Sequence, residues 1–282
     1  CLWVIKREGA ARTGWPSLFF ERPEARITET EKMKIKVGCC GFPGGMKKYF
    51  ETLPDGRQAF KVVEVQKTFY QPPQVATAER WRSLAGSNFE FTLKAWQLIT
   101  HDPKSPTYRR LSKPLPQEKH SHYGYFRPTD EVFSAWEVTE KIASALEAVV
   151  ILFQCPASFR PTAENKANMR AFFGKIDRKS YLFAWEPRGK WQPLETKELC
   201  QELNLIHCVD PFKARPLYGD ILYFRLHGKT GYKYRYADEE LTELEDLVGS
   251  LGGHSPEAYV LFNNTNMAED ALRFEQMMGK KY

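Results

Sequence analysis

The stretch ILYFRLH, Ile221–His227, carries the pattern from which the fold can be predicted. In a β-strand successive side chains point to opposite faces. The leucines and the phenylalanine of this stretch therefore share one face, whereas Tyr223, Arg225 and His227 share the other. The apolar face is typical of a strand that packs against helices. The second face becomes more polar toward the end of the strand.

Seven further runs of aliphatic, β-branched and aromatic residues predict strands of similar length. They are Ile35–Cys40, Val62–Gln66, Phe89–Trp96, Val149–Gln154, Tyr181–Glu186, Leu205–Asp210 and Tyr259–Asn263. Apolar residues at helical spacing lie between most of these runs, as at Val75, Ala78, Trp81 and Leu84. The alternation of strands and helices predicts one α/β domain, a single (β/α)8 TIM barrel.

The connection between the sixth and seventh strands departs from this alternation. Residues 211–220, PFKARPLYGD, are too few and too rich in proline for a regular helix. We therefore expect an irregular connection there. An open, doubly wound sheet remains the alternative fold.

Charged side chains near the strand ends indicate a site at the C-terminal face of the barrel, where this fold builds its sites. The alternation places Glu64, Lys94, Glu186, Arg225 and His227 on the face that points into the barrel. Burying charge is costly unless the groups are paired and hydrogen-bonded. The alternative is an ion-pair network that only closes the top of the barrel.

The candidate catalytic residues are Glu64, Lys94, Glu186 and His227. The two glutamates are candidate general bases, and histidine can exchange a proton near neutral pH. Lys94 could neutralise developing charge or form a Schiff base. The candidate substrate-binding residues are the anion-binding pair Arg188 and Arg225, together with Gln66, Tyr70, His101, Tyr108, Arg109, Gln154, Asp210, Asn263 and Asn264.

This constellation predicts an enzyme, a hydrolase, lyase or isomerase, that acts on an anionic small molecule bearing phosphate or carboxylate. A nucleic-acid-binding barrel is the first alternative. The long basic segment 101–128 is expected to form a lid, and the stretch YKYRY, Tyr232–Tyr236, interleaves aromatic rings with cations. The second alternative is a non-catalytic scaffold.

No metal or cofactor is predicted, although Glu64, Glu186, Asp210 and His227 leave a divalent metal open as an alternative. Three nearby cations would compete for those carboxylates. The adjacent Cys39 and Cys40 are interpreted as the end of the first strand. Neighbouring Cα atoms are closer together than a disulfide normally spans, and no CxxC motif accompanies the pair.

Composition sets the wider expectations. The chain has 282 residues, a formal net charge of +6 and six cysteines. It contains no apolar run long enough to span a bilayer, so no membrane partner is expected. Residues 1–32 lack the apolar core of a signal peptide and are expected to be an extension outside the barrel, which would occupy residues 33–282. We therefore expect reduced thiols and a cytoplasmic location.

From Met33 onward the chain resembles the YecE-like family, uncharacterised TIM barrels with a domain of unknown function. The resemblance lies in the stretches VGCCGF, VVEVQKTFYQ, FEFTLKAWQLITH, ILFQCPASF, FAWEPRGKW, YFRLHGKTGYKYRY and VLFNNT. It implies the barrel fold and the position of a site, but no reaction. Cys40 and Phe42 depart from the serine and tryptophan that many relatives have there.

Overall fold

The computed structural model describes residues 33–51, 58–251 and 255–281. Within them, eight strands form one parallel sheet in the order β6-β5-β4-β3-β2-β1-β8-β7. The strands are β1 (Lys34–Cys40), β2 (Val62–Val65), β3 (Glu90–Lys94), β4 (Val150–Gln154), β5 (Leu182–Glu186), β6 (Ile206–His207), β7 (Leu222–Leu226) and β8 (Glu257–Phe262). Residues 1–32 lie outside the described part of the chain, so their interpretation as an extension stays a prediction.

The two edge strands of this sheet meet just beyond β6. Val209 forms a parallel bridge to Phe224 of β7, and the Arg225 amide donates to the Val209 carbonyl at 3.0 Å. The sheet is therefore a nearly closed ring rather than an open, doubly wound sheet. The prediction of a single (β/α)8 barrel is confirmed, and the irregular connection before β7 contains no helix.

Helices follow the other strands. In the described residues they are α1 (Met46–Tyr49), α2 (Lys67–Tyr70), α3 (Val75–Leu84), α4 (Gln97–Thr100), α5 (Asp130–Ala145), α6 (Ala163–Lys175), α7 (Pro193–Leu203), α8 (Asp238–Leu251) and α9 (Met267–Lys281). None of these helices combines the length and the apolar character needed to cross a membrane.

Helix α7 agrees with the predicted alternation, although no apolar stripe was identified for it in the sequence. Its buried positions are Thr196, Leu199, Cys200 and Leu203, which have helical spacing but include only two aliphatic residues. A capping box between Gln192 and Glu195 begins the helix. Conversely, Val75 and Leu84 of the predicted stripe on α3 are exposed, because only the middle of that helix packs on the barrel.

The barrel interior is layered. Lys36 pairs with Glu90 and Glu257 at the N-terminal end. An apolar middle layer follows, and its members lie two or four residues from the polar ones on the same strand faces: Val62, Val150, Leu152, Ala184, Ile206, Tyr259 and Leu261. The charged residues at the strand ends form the top layer. The apolar layer separates the two charged layers, so the charged residues of the top layer form a network of their own, apart from the ion pairs of Lys36.

Strand β6 is shorter than predicted because the following connection folds back onto it. The His207 amide donates to the Tyr218 carbonyl at 2.8 Å, and the Leu217 amide donates to His207 Nδ1 at 3.3 Å. The predicted run Leu205–Asp210 therefore has regular strand pairing only at Ile206–His207.

The segment 101–128 is more ordered than the predicted lid. It contains 3-10 helices at Pro106–Arg110 and Gln117–His122. Its far end is fixed by Phe126, which is fully buried and whose amide donates to the Ile99 carbonyl at 2.8 Å. Gly124 has a φ of 77°, and a Cβ there would lie 2.1 Å from the His101 oxygen, so this close approach requires glycine.

Candidate functional site

Arg225 lies at the centre of the charged layer. Its Nη2 is 2.9 Å from Glu64 Oε1, and its Nη1 donates to Glu186 Oε2. The three side chains come from β7, β2 and β5 and are buried. The remaining oxygen of Glu64 accepts from the Tyr223 hydroxyl at 2.8 Å, and Gln66 Nε2 donates to Oε1. Both carboxylate oxygens of Glu64 therefore have partners inside the barrel.

Glu186 is held as a carboxylate. Burial alone would raise its pKa, but Arg225, His227 and Arg188 outweigh burial and hold the pKa well below its ordinary value. Arg188 Nε donates to Glu186 Oε1 at 2.9 Å. A carboxylate with so low a pKa is a weak base near neutral pH.

Lys94, on the same interior face, lacks such a partner. Its side chain is 5% exposed, and its Nζ lies 3.4 Å from the ring centroid of Phe69. Burial, with Arg225 and Arg188, lowers the pKa of Lys94 to about 7, although Glu186 and Glu64 act in the opposite direction. The charged form of Lys94 is thus less favourable near neutral pH than that of an ordinary lysine.

His227 connects the buried network to solvent. Its Nε2 is 3.2 Å from Glu186 Oε1 and 3.2 Å from Arg188 Nη2, and its Nδ1 is 3.0 Å from Asn263 Nδ2. Asn263 Nδ2 is a donor, so Nδ1 accepts from it and Nε2 carries the proton that faces Glu186 Oε1. The ring is 22% exposed and lines the cavity, so it joins the buried carboxylate to the surface.

A cavity of roughly 510 Å³ opens above these groups. Its lining includes Glu186, Arg188, His207, Asp210, Lys213, His227 and Tyr232. Asp210 Oδ2 accepts from the His227 amide at 3.2 Å and lies 3.4 Å from Lys213 Nζ. The volume is that of a small-molecule site.

Lys213 and Tyr232 were not among the candidate residues. Lys213 lies in the irregular connection three residues beyond Asp210, and Tyr232 follows β7. Both positions lie in the connections that follow β6 and β7, six residues beyond each strand, and this was the available signal. Tyr223 was expected to face the interior, but its hydrogen bond to Glu64 could not be read from alternation.

Several other candidates face the interior or its rim without lining the cavity. Gln154 at the end of β4 is buried in register with Glu186. His101 packs on Phe69 with ring centroids 4.8 Å apart, and burial lowers its pKa to about 3, so its ring is neutral. Tyr70 stacks against Arg110, whose guanidinium carbon is 3.5 Å from the ring centroid.

Three candidates are placed elsewhere. Asn264 is buried, and its Nδ2 donates to the Tyr234 carbonyl and to Asp270 Oδ2, both at 2.7 Å, so it fixes a loop. The Tyr108 hydroxyl donates to the His101 carbonyl at 2.7 Å. Arg109 is exposed on its 3-10 helix.

Most side chains of the stretch Tyr232–Tyr236 form hydrogen bonds or ion pairs within the protein. Tyr236 is buried and accepts from the Gly228 amide at 2.9 Å, and Tyr234 donates to Glu240 at 2.6 Å. Arg235 pairs with Glu269. Of its three tyrosine rings, only Tyr232 is well exposed, at 58%.

The paired cysteines end β1, as predicted, and point to opposite faces. Cys39 Sγ lies 3.4 Å from the Met267 carbonyl on the helix side, whereas Cys40 belongs to the interior cluster. All five cysteines of the described chain are free thiols.

A metal at the strand ends has little support from the donor set. Within the described ranges, no group of three or more His, Cys, Asp or Glu side chains has an arrangement that could hold an ion. Arg225 occupies the space between Glu64 and Glu186 that a cation would need.

Solved structures share the fold. A DUF72 family protein from Enterococcus faecalis V583 is 22% identical, with a TM-score of 0.65 over 88% of this chain and 99% of that chain. A DUF72 family protein from Thermotoga maritima MSB8 is 21% identical, with a TM-score of 0.59 over 87% and 99%. A D-psicose 3-epimerase solved in the presence of D-fructose is 13% identical, with a TM-score of 0.52 over 87% and 98%. At these identities the likeness establishes the fold alone.

No curated protein sequence matches the chain. Residues 38–282, however, match the family described as protein of unknown function DUF72. This match covers the whole described barrel from the middle of β1 onward. The chain therefore belongs to the DUF72 family.

Proposed function

We propose that this protein is an enzyme that uses acid-base chemistry on an anionic small molecule bearing phosphate or carboxylate. The observation that carries the proposal is the buried contact of Arg225 with Glu64 and Glu186 directly beneath a cavity lined by Arg188, Lys213 and His227. An apolar interior is the usual filling of a barrel and avoids the cost of desolvating charge. Proteins commonly tolerate this loss of stability where the buried charges serve a functional site.

The charge balance favours an anion. Each carboxylate of the site already has a cation: Glu64 and Glu186 contact Arg225, Glu186 also contacts Arg188, and Asp210 contacts Lys213. Arg188 is 42% exposed, and its Nη1 has no partner among the described residues. A phosphate or carboxylate oxygen at the cavity would complete its hydrogen bonding.

The proposed roles differ from the initial assignment of two general bases. His227 exchanges a proton with the ligand, because its ring lines the cavity and contacts Glu186. Glu186 orients His227 and Arg188, and Glu64 holds Arg225 in place. Hydrolase, lyase and isomerase chemistry all fit this arrangement. As part of the same proposal, the protein is YecE-like, acts in the cytoplasm and needs no cofactor.

The test is ligand binding by thermal shift and calorimetry. Inorganic phosphate and a set of phosphorylated and carboxylated metabolites are the probes. We expect at least one ligand to stabilise the chain, with an affinity reduced about tenfold or more in Arg188→Ala, since a charged hydrogen bond is worth about 1.5–3 kcal/mol.

The matched control is Arg170→Ala, because Arg170 forms a surface pair with Glu202 at 2.6 Å and lies on α6. It should leave binding unchanged. Equal affinity of Arg188→Ala and the unmodified chain for every ligand would reject the proposed anion site.

A further inference from the structure

We propose that Lys94 is a nucleophile that forms an imine with an aldehyde or ketone group of the ligand. The anionic character of that ligand rests on the proposed function above, whereas the reactivity of the amine rests on the contacts of Lys94 itself. The substrate class would then be an oxo acid or a phosphorylated aldehyde or ketone.

The first argument is the distribution of partners within the charged layer. Arg225 contacts both of the buried glutamates, Glu64 and Glu186. The same oxygens also receive hydrogen bonds from Gln66, Tyr223 and Arg188. Lys94 is left with no hydrogen-bond acceptor and no carboxylate within 4.0 Å among the described residues, and its Nζ lies over the face of Phe69.

The second argument is the electrostatic environment. A buried ammonium without a carboxylate partner is unfavourable, and two guanidinium groups near it add repulsion. Desolvation and a neighbouring cation are the two means by which proteins activate lysine as a nucleophile. Both act here, because Lys94 is buried and interacts with Arg225 and Arg188. The charged and titratable groups that interact with it are Glu64, Glu186, Arg188, Arg225 and the neutral His101.

The third argument is position. Lys94 is the last residue of β3, on the interior face at the C-terminal end where barrels build their sites. It does not line the cavity itself, but Glu186 and Arg188, with which it interacts, do. The amine therefore interacts with two residues that line the cavity, and one of them, the half-exposed Arg188, is the candidate anion contact.

The reaction balances without a further reagent. The unprotonated Nζ attacks the carbonyl carbon and forms a C–N bond, and the carbonyl oxygen leaves as water with the two hydrogens of the amine. The product is a neutral imine, which is protonated to an iminium in a further equilibrium. Hydrolysis reverses every step.

The experiment traps this imine in the full chain. Glyoxylate, a carboxylate-bearing aldehyde, and glycolaldehyde, a neutral one, are each added with sodium cyanoborohydride at pH 7, and peptide mass spectrometry locates the secondary amine that hydride transfer produces. We expect Lys94 to be modified at least tenfold faster than exposed lysines, because an ordinary lysine is unprotonated in only about 0.04% of molecules at pH 7.

Lys94→Met removes the proposed nucleophile, and Lys197→Met removes an exposed lysine on α7 that does not line the cavity. The first variant should lose the fast adduct, and the second should keep it. Near-ultraviolet circular dichroism of each variant checks that the barrel is folded. A second readout is pH: the Lys94 rate should level off above about pH 7, whereas the rates of exposed lysines continue to rise.

The outcomes separate this inference from the proposed function. Fast modification of Lys94 by glyoxylate, with protection by inorganic phosphate, supports both. Equal modification by glycolaldehyde and glyoxylate supports the nucleophile and counts against an anion site. If Lys94 is modified no faster than exposed lysines while phosphate binding still depends on Arg188, the imine is overturned and the anion site stands.

Discussion

Arg225 and Glu64 form an ion pair across the interior of the barrel, with Nη2 2.9 Å from Oε1 and both side chains almost fully buried. Their strands are not neighbours, since β1 and β8 lie between β2 and β7 on one side of the ring. The contact therefore spans the lumen. It also determines what the other charged groups can do, because it leaves Lys94 without a carboxylate.

Replacing Arg225 should destabilise the barrel strongly. In Arg225→Met, Glu64 and Glu186 lose their shared cation and remain buried. We expect the free energy of unfolding in urea to fall by about 3–5 kcal/mol, the usual result of removing one member of a buried ion pair. Arg170→Met, at an exposed pair, should cost less than about 1 kcal/mol. Similar losses in the two variants would show that the network is not a buried one.

The contribution of Lys94 to the free energy of unfolding should depend on pH. Its pKa is about 7 in the folded chain and ordinary, near 10.5, in the unfolded chain. Between these values the unfolded state binds more protons, so the contribution of Lys94 to the free energy of unfolding rises with pH from about 7 to about 10.5. Below pH 7 its unfavourable contribution is constant and largest.

Urea unfolding of the unmodified chain and of Lys94→Met at several pH values measures this difference. The variant should gain most in stability at pH 6 and least near pH 10. Lys197→Met, on the exposed side of α7, is the control and should show no such trend. A difference that does not change with pH would mean that Lys94 has an ordinary pKa in the folded chain.

Asp210 should hold the two loops that border the cavity. Its carboxylate accepts from the amides of Phe212 and His227, each at 3.2 Å. Asp210→Ala leaves both amides without an acceptor, so we expect a loss of about 1–3 kcal/mol and faster hydrogen exchange at the His227 amide. Asp210→Asn keeps one acceptor oxygen and should lose less. Unchanged exchange in Asp210→Ala would contradict this role.

Nucleic-acid binding should be weak. A stacking platform needs several free rings, and Tyr234 and Tyr236 are used within the loop. For a fluorescent 12-nucleotide single strand, we expect the logarithm of affinity to fall with the logarithm of salt concentration with a slope no steeper than about one phosphate contact. A slope that corresponds to four or more contacts, and that is reduced by Tyr232→Ala, would favour the alternative.

The buried cysteines should be unreactive. Burial raises the pKa of Cys40 and Cys208 well above the ordinary thiol value, and the pKa of Cys39 to about 12. In a Cys1→Ser chain, which removes the thiol outside the described residues, Ellman's reagent should react slowly at pH 8 and fully in urea. Rapid reaction of one thiol in the folded chain would reopen Cys40 as a candidate nucleophile.

Features that depend on local geometry could be predicted from the sequence, whereas features that depend on contacts between distant segments could not. The alternation in Ile221–His227 correctly predicted which face of β7 is polar, because strand geometry is local. The predicted extent of β6 was wrong, because the His207 amide donates to the Tyr218 carbonyl. Such a contact depends on how the chain folds back. No apolar stripe was identified for helix α7, because threonine and cysteine occupy two of its four buried positions.

The sequence by itself determined the barrel and the residues that point into it, since both depend on spacing along the chain. It also placed Glu64, Lys94, Glu186 and Arg225 at strand ends on the interior face. Which of these charges pair was decided only by the tertiary structure. Ring closure brings β2, β5 and β7 within reach of one guanidinium, and because ion-pair energy falls off steeply with distance and desolvation, that single contact decides which buried amine stays uncompensated.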